Sequence, residues 1–419
     1  MPASSEHPRV TIDPALVASY VETLGRIGAA GATGVKRTVY SPEWVQATAQ
    51  YAAWCEEGGL AVRRDAVGNV WGRLEGSTHG APAVASGSHI DSQLPGGRYD
   101  GALGCLAALI AIRSLREQFG TPKRPLEAVA FCEEEGSRFP AANLWGSRAV
   151  TGRIGPDEAA QLRDYEGLTM ADAMRAVGLD AARIGEAARR DIGHFIELHV
   201  EQGPVLEHDG LPVGIVTGIT GLRHYVVEVI GEANHAGAFP MDLRRDPMAG
   251  AAEMISGVIA TATRLGRPAV TTVGRMQVEP NYPAIVPARV RFTIDARHPD
   301  AKALAALYAS HEQLLREVAE RRGLQLNLSV TLDQAPSPSD PATVALLQDS
   351  ARAQGIESLL MHSGAGHDSQ VMAGIAAMAM VFVQSRSGRS HTPEEFTSVE
   401  HAVMGIETLA AGMYRLAYA

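Results

Sequence analysis

Only three cysteines, Cys55, Cys105 and Cys132, occur in 419 residues, and no two stand in a CxxC spacing. So sparse and odd a set cannot staple a small secreted domain, and each is expected as a buried small hydrophobe in a reducing compartment. Long apolar runs are missing too. Nothing approaches the roughly 18 apolar residues of a membrane span, and the amino-terminal MPASSEHPRVTIDPALV has no apolar core behind a basic start, so no secretory signal is expected. Basic charge is in deficit, 37 Lys and Arg against 47 Asp and Glu, for a formal net charge of -10. That leaves no electrostatic footprint for nucleic acid or for an anionic membrane. These absences point to a cytoplasmic protein acting on small molecules or peptides.

What is present is length and an α/β texture. A chain of 419 residues exceeds one ordinary core and implies several domains or one large domain carrying an insertion. From residue 83, short apolar runs alternate with longer helical stretches, the signature of a mostly parallel sheet with helices on both faces. APAVASGSHI reads as a strand, and GALGCLAALIAIRSLREQF as a helix of five turns with Asp100 where an N-cap would sit. PLEAVAF, GHFIELHVEQG and AAMAMVFVQS read as three further strands. Between 215 and 331 the order becomes strand, helix, strand, strand, helix, strand, which predicts an inserted ferredoxin-like βαββαβ module. The catalytic domain is then 1–214 with 332–419, and QAPSPSDPA reads as the returning linker.

The chemistry-bearing residues collect at strand ends. GSHIDSQLPGGRYDGALG carries His89, Asp91 and Asp100; CEEEGSRF carries Glu133, Glu134 and Glu135; ELHVEQG carries His199; and GRSHTPEEF carries His391. In open α/β sheets ligands bind beyond the carboxyl ends of the strands. Three adjacent carboxylates leaving an apolar strand repel one another unless water or a cation compensates them. Imidazole mixed with carboxylate suits zinc, manganese, cobalt or nickel better than calcium. A two-metal hydrolytic site needs a shared carboxylate, terminal His and Glu ligands, and a separate carboxylate to move the proton.

Together with NHAGAFPMDLRRD, these motifs occur in order over nearly the whole chain, and the sequence resembles the hydantoinase/carbamoylase branch of the M20 metallopeptidase-like amidohydrolases. The branch holds N-carbamoyl-L-amino acid hydrolases, β-ureidopropionases and allantoate amidohydrolases. The resemblance implies two divalent metal ions per subunit (Zn, Mn, Co or Ni), with Asp100 bridging them. His89 and His199 complete one ion, Glu135 and His391 the other, and Glu134 is the general base and then acid. Asp91 accepts the other ring proton of His89. His235 stabilises the oxyanion from the partner subunit of a homodimer built through the inserted module. Arg297 in FTIDAR holds the carboxylate of a small-molecule substrate, and Gln202 lines the pocket. His367 and Asp368 in GAGHDSQ match a segment near the site or cap the following helix.

One departure stands out. Where the family reads NVIPG and its asparagine binds substrate, this chain reads AIVPA, with Ala284 and Ala288 in place of the asparagine and glycine. Asn281 is the candidate to compensate, although facing alternates along a strand. The expected activity is hydrolysis of a non-peptide amide or ureido C–N bond. An aminoacylase or dipeptidase, or a catalytically silent metal-binding paralogue, are the competing readings.

Overall fold

The computed structural model describes residues 8–419. The chain forms two compact units, one running to Thr217 and resuming at Ser339–Met361 and Ala365–Ala419, the other made of Gly218–Pro338 with His362–Gly364. The second unit is longer than the expected 215–331 at its carboxyl side, because the strand Gln325–Gln334 stays paired to Leu222 at its end. Ser337 and Pro338 then pair with Ile219 and Gly218, so the expected linker is largely ordered backbone. Asp340, a little further on, caps the helix Pro341–Gln354.

Four parallel strands lie side by side in the sheet of the first unit, in the order Ala377–Val383, Ile192–Val200, Ala83–His89 and Leu126–Phe131. Antiparallel strands Val213–Ile219 and Val70–Leu74 continue the sheet on either side. Successive side chains of a strand serve opposite faces. Val84, Leu126, Ala128, Ile196 and Leu198 join the core that includes the helices Ala102–Phe119 and Val399–Ala417. Ala85, Val129, Phe131 and Phe195 pack on the other face with Val150 and Met372, from the short helices Trp145–Val150 and Asp368–Met372. Burial on both faces explains why these strands are continuous apolar runs.

Register sets the level of the strand ends. His89 is opposite Phe131, and Phe382 opposite His199, so the segments that follow leave from one edge of the sheet. The N-cap of Ala102–Phe119 is Gly101, with no side-chain capping bond, so Asp100 does not cap this helix as expected. Gly101 has φ +60, and a Cβ there would lie 2.4 Å from atoms of the His89 ring. The glycine therefore provides room for an imidazole as well as the turn.

In its main sheet and helices the second unit runs strand, helix, three strands, helix, strand, one strand more between the helices than the expected βαββαβ order. Its sheet is antiparallel: Gln325–Gln334 pairs with Gly221–Ile230, which pairs with Arg289–His298, which pairs in turn with Val270–Thr272 and Met276–Glu279. Tyr225, Val227, Val229, Val290, Phe292 and Ile294 pack against the helices Pro247–Leu265 and Ala301–Arg321 in a core of their own. All three cysteines are buried free thiols. Among the described residues no helix is long and apolar enough to cross a membrane.

Gly104 brings the helix Ala102–Phe119 down onto the sheet, since a Cβ there would fall 2.3 Å from the carbonyl oxygen of Leu198 and 2.6 Å from Cβ of Ser88. Gly104→Val should destabilise the fold by about 1–3 kcal/mol, the usual cost of overpacking. Urea unfolding followed by circular dichroism measures it, and an unchanged midpoint would show that the helix is not held this close.

Candidate metal centre

His89 closes its strand and His199 lies one residue before the end of the adjacent one, both almost fully buried. Asp100 faces them from the glycine-rich loop. Its Oδ1 is 3.4 Å from Nε2 of His89 and 3.3 Å from Nε2 of His199, while its Oδ2 is 3.3 Å from Nε2 of His391. Nε2 of His391 is in turn 3.4 Å from Oε2 of Glu135. Each oxygen of one carboxylate thus serves a different donor group: His89, Asp100 and His199 form one, and Asp100, Glu135 and His391 the other.

These spacings fit a divalent cation. Two ligands bonded at about 2.0–2.1 Å around a tetrahedral ion sit about 3.3–3.4 Å apart, whereas direct hydrogen bonds between them would be shorter. The tautomers fit as well. Nδ1 of His89 lies 3.1 Å from the carbonyl of Asp91, and Nδ1 of His199 lies 3.0 Å from the carbonyl of Val200. In their neutral form both rings donate through Nδ1 and keep the Nε2 lone pair for an ion. The backbone N–H of Gly101 points to Nε2 of His199 at 3.1 Å, as it does to an acceptor.

Charge is balanced by the imidazoles. Burial works against an ionised Asp100, yet His199, His391 and His89 hold its carboxyl well below the usual range. Burial also opposes a proton on His89, but Glu134 and Asp100 draw its pKa well above the ordinary value. The hydrogen bond to Asp100 raises His391 to about 9.

The three glutamates take different places. Glu133 is fully buried, and its Oε1 accepts from the backbone N–H groups of Arg138 and Phe139 at 3.2 and 2.7 Å, so it shapes the loop. Oε2 of Glu134 stands 3.8 Å from Nε2 of His89, outside both donor groups, and burial pushes its pKa well up. Glu135 belongs to the second group. The carboxylate of Asp91 lies 3.8 Å from the His89 ring and accepts instead from the backbone N–H groups of Glu134 and Glu135, at 3.3 Å each. The ring proton of His89 goes to the Asp91 carbonyl, because the side chain is drawn to the turn carrying the glutamates.

Gln202 donates to Oδ2 of Asp100 at 2.9 Å. Glu133, Gln202 and His391 all have positive φ, between 49° and 56°, so three strained positions lie at or beside the cluster. His367 is buried edge-on to the His199 ring, with centroids 4.6 Å apart, and makes no capping hydrogen bond. Burial lowers its pKa well below the ordinary value. Asp368 is also buried, and burial together with Glu197 raises its carboxyl to about 8.

Two residues escaped the sequence reading. Glu395 is buried and accepts from the backbone N–H groups of Tyr99 and Asp100, at 2.8 and 3.0 Å, and from the Ser390 hydroxyl at 2.9 Å. Ser390 also meets Oδ2 of Asp100. A Cβ on Gly97 would lie 1.9 Å from Oε2 of Glu395, so the glycine loop is hollowed to receive it. The only hint in the sequence is an acid four residues after His391.

His235, Asn281 and Arg297 belong to the second unit. Nδ1 of His235 accepts from the backbone N–H groups of Gly237 and Ala238 at 3.1 and 3.0 Å, which leaves its ring proton on Nε2 as a donor. The carbonyl of Ala284 accepts from the N–H of Ala236. Asn281 has φ +56 and lines a cavity of about 400 Å³ with Ala236, Arg244, Tyr282 and Ile285. Arg297 forms a two-point ion pair with Asp295.

Comparisons with known proteins agree with this architecture. Residues 85–415 match the model of peptidase family M20/M25/M40. The chain is 39% identical over 395 residues to an allantoate amidohydrolase of Escherichia coli, covering 94% of this chain and 96% of that one. It is 38% identical over 396 residues to an N-carbamoyl-L-amino acid amidohydrolase of Geobacillus stearothermophilus, with the same coverage. The crystal structure of a hydantoinase/carbamoylase family amidase from Burkholderia multivorans superposes with a TM-score of 0.91 at 33% identity, covering 97% of this chain and 98% of that one. The chain belongs to peptidase family M20/M25/M40, within its hydantoinase/carbamoylase branch.

Proposed function

We propose that this protein is a two-metal amidohydrolase that cleaves a ureido or amide C–N bond in a small carboxylate-bearing substrate. The observation that carries the proposal is the position of Asp100, one oxygen toward each donor group, with Glu134 beside them but in neither. An N-carbamoyl amino acid and water would give amino acid, carbon dioxide and ammonia. Divalent ions held by His89, Asp100, Glu135, His199 and His391 would supply Lewis acidity toward the substrate carbonyl and the attacking water.

The chain's own groups do the rest. Glu134 takes a proton from water and returns it to the leaving nitrogen. His235, with Nε2–H as its donor, stabilises the developing oxyanion of the partner subunit's substrate in a homodimer built through the second unit. Arg297 holds the substrate carboxylate, the planar acceptor that a guanidinium matches best. Gln202 steadies Asp100, and Asn281 borders a substrate pocket. Ala284 offers no side-chain donor or acceptor where relatives of the branch are expected to have asparagine, so selection for a short ureido group is weakened.

Metal analysis of active, dialysed protein should find close to two ions per chain, and metal-free protein with full activity would overturn the proposal. A divalent ion should raise the melting temperature of the native chain but hardly that of Asp100→Asn.

Glu134→Gln should retain its metal but lose at least about a hundredfold in turnover, the scale of a positioned acid–base group. Ammonia release across N-carbamoyl amino acids, allantoate and N-acyl amino acids measures it. A near-normal rate in the metallated variant would move the proton transfer elsewhere.

Ala284→Asn should shift kcat/KM toward small ureido acids such as N-carbamoyl-β-alanine, by up to about tenfold for one regained neutral hydrogen bond. An unchanged preference would place that contact on another group.

A further inference from the structure

Arg297 has five N–H donors, and the structure engages three of them. Nε donates to Oδ1 of Asp295 at 2.9 Å and Nη2 donates to Oδ2 at 2.7 Å, so one side of the guanidinium plane is closed by a two-point ion pair. Nη1 donates to the carbonyl of Gly364 at 2.7 Å. What remains is one N–H on Nη1 and one on Nη2.

Asp295 is itself held. Its Oδ2 lies 3.0 Å from Nε2 of His224, on the neighbouring strand and directly opposite in the ladder. Asp295 and Arg297 are two residues apart on Arg289–His298, so both side chains leave the same face of the sheet. The opposite face carries Ile294 and Ala296 into the core. The pair is therefore fixed at two points, by the strand beneath and by the histidine beside, and the side chain of Arg297 keeps about a third of its surface open.

A guanidinium with a free long side chain can meet an anion by either of two edges or by a single N–H. Here one edge is already closed, and the Gly364 carbonyl takes one of the two N–H groups of Nη1. We propose that Asp295 is the positioning residue for substrate recognition: it fixes Arg297 so that only the two remaining N–H groups face outward, which selects a planar two-oxygen acceptor and sets its orientation. This inference rests on the proposed carboxylate-bearing substrate and adds the feature that enforces it. A carboxylate accepts both parallel N–H groups, whereas a carboxamide offers one acceptor oxygen and turns N–H donors against the second.

The test compares kcat/KM for an N-carbamoyl amino acid with that for its carboxamide, in native protein, Asp295→Asn and Arg297→Ala. Because the comparison is a ratio measured on one sample, it does not depend on how much of a variant is folded. Asp295→Asn should lower the carboxylate-over-carboxamide ratio at least tenfold, through KM for the carboxylate with kcat within threefold. An equal loss on both substrates, or no change, would make Asp295 a structural residue and overturn the inference. Asp295→Glu, which keeps the charge but displaces the fork, should lower the ratio less, and serves as the deciding variant if Asp295→Asn has no measurable activity. Arg297→Ala separates the two levels. If it leaves the ratio intact, the carboxylate reading itself fails and the inference falls with it. If it abolishes the ratio while Asp295→Asn does not lower it, only the inference fails.

Discussion

A single carboxylate, that of Asp100, holds together parts of the chain that are far apart in sequence. It meets His89 from the strand before it, His199 from a strand about a hundred residues later, and His391 from close to the carboxyl end. A buried carboxylate among imidazoles is tolerable only because the charges compensate one another. The imidazoles hold the Asp100 carboxyl well below its usual range, and the hydrogen bond to Asp100 raises His391 in return.

The surrounding scaffold serves that carboxylate. Glu395 pins the backbone N–H groups of Tyr99 and Asp100, Gln202 and Ser390 reach Oδ2, and the glycines at 97 and 101 leave the volume that Glu395 and His89 fill. Gln202, like the nearby Glu133 and His391, has a costly positive φ, and the sheet beneath is largely apolar and buried on both faces. A rigid layer of parallel strands can hold a strained, polar edge in place.

Much of this was legible in the sequence because it depends on local pattern. Continuous apolar runs marked the parallel strands, and each ended at or near a His or a group of acids. The switch in periodicity marked the two long helices of the second unit and the strands on either side of them, although the segment between the helices is cut into more strands than the βαββαβ expectation had. What could not be read was pairing over distance. Glu395 looks like any acid in a charged loop until the fold brings it to Asp100, 295 positions away. Asp100 looked equally suited to capping a helix, and only the three imidazoles decide against it. Asp91 was expected to hold His89 through its carboxylate, but the carbonyl of the same residue is closer, and a backbone group leaves no mark in a sequence. The second unit ran past its expected end because QAPSPSDPA has the composition of a linker although part of it pairs as strand.

That short pairing has a broader consequence. Ile219 and Ser337 are partners across an antiparallel bridge, so the chain leaves the first unit and returns to it at nearly the same point. More than a hundred residues can therefore be spliced between two strands of one sheet with little demand on the geometry of either. The entropic cost of closing a loop depends only weakly on its length once its ends are held together. Arg297 and its neighbours occupy this inserted segment, apart from the strands that carry His89 and His199. On the proposed function, selectivity and bond cleavage would then lie on separately spliced parts of one polypeptide.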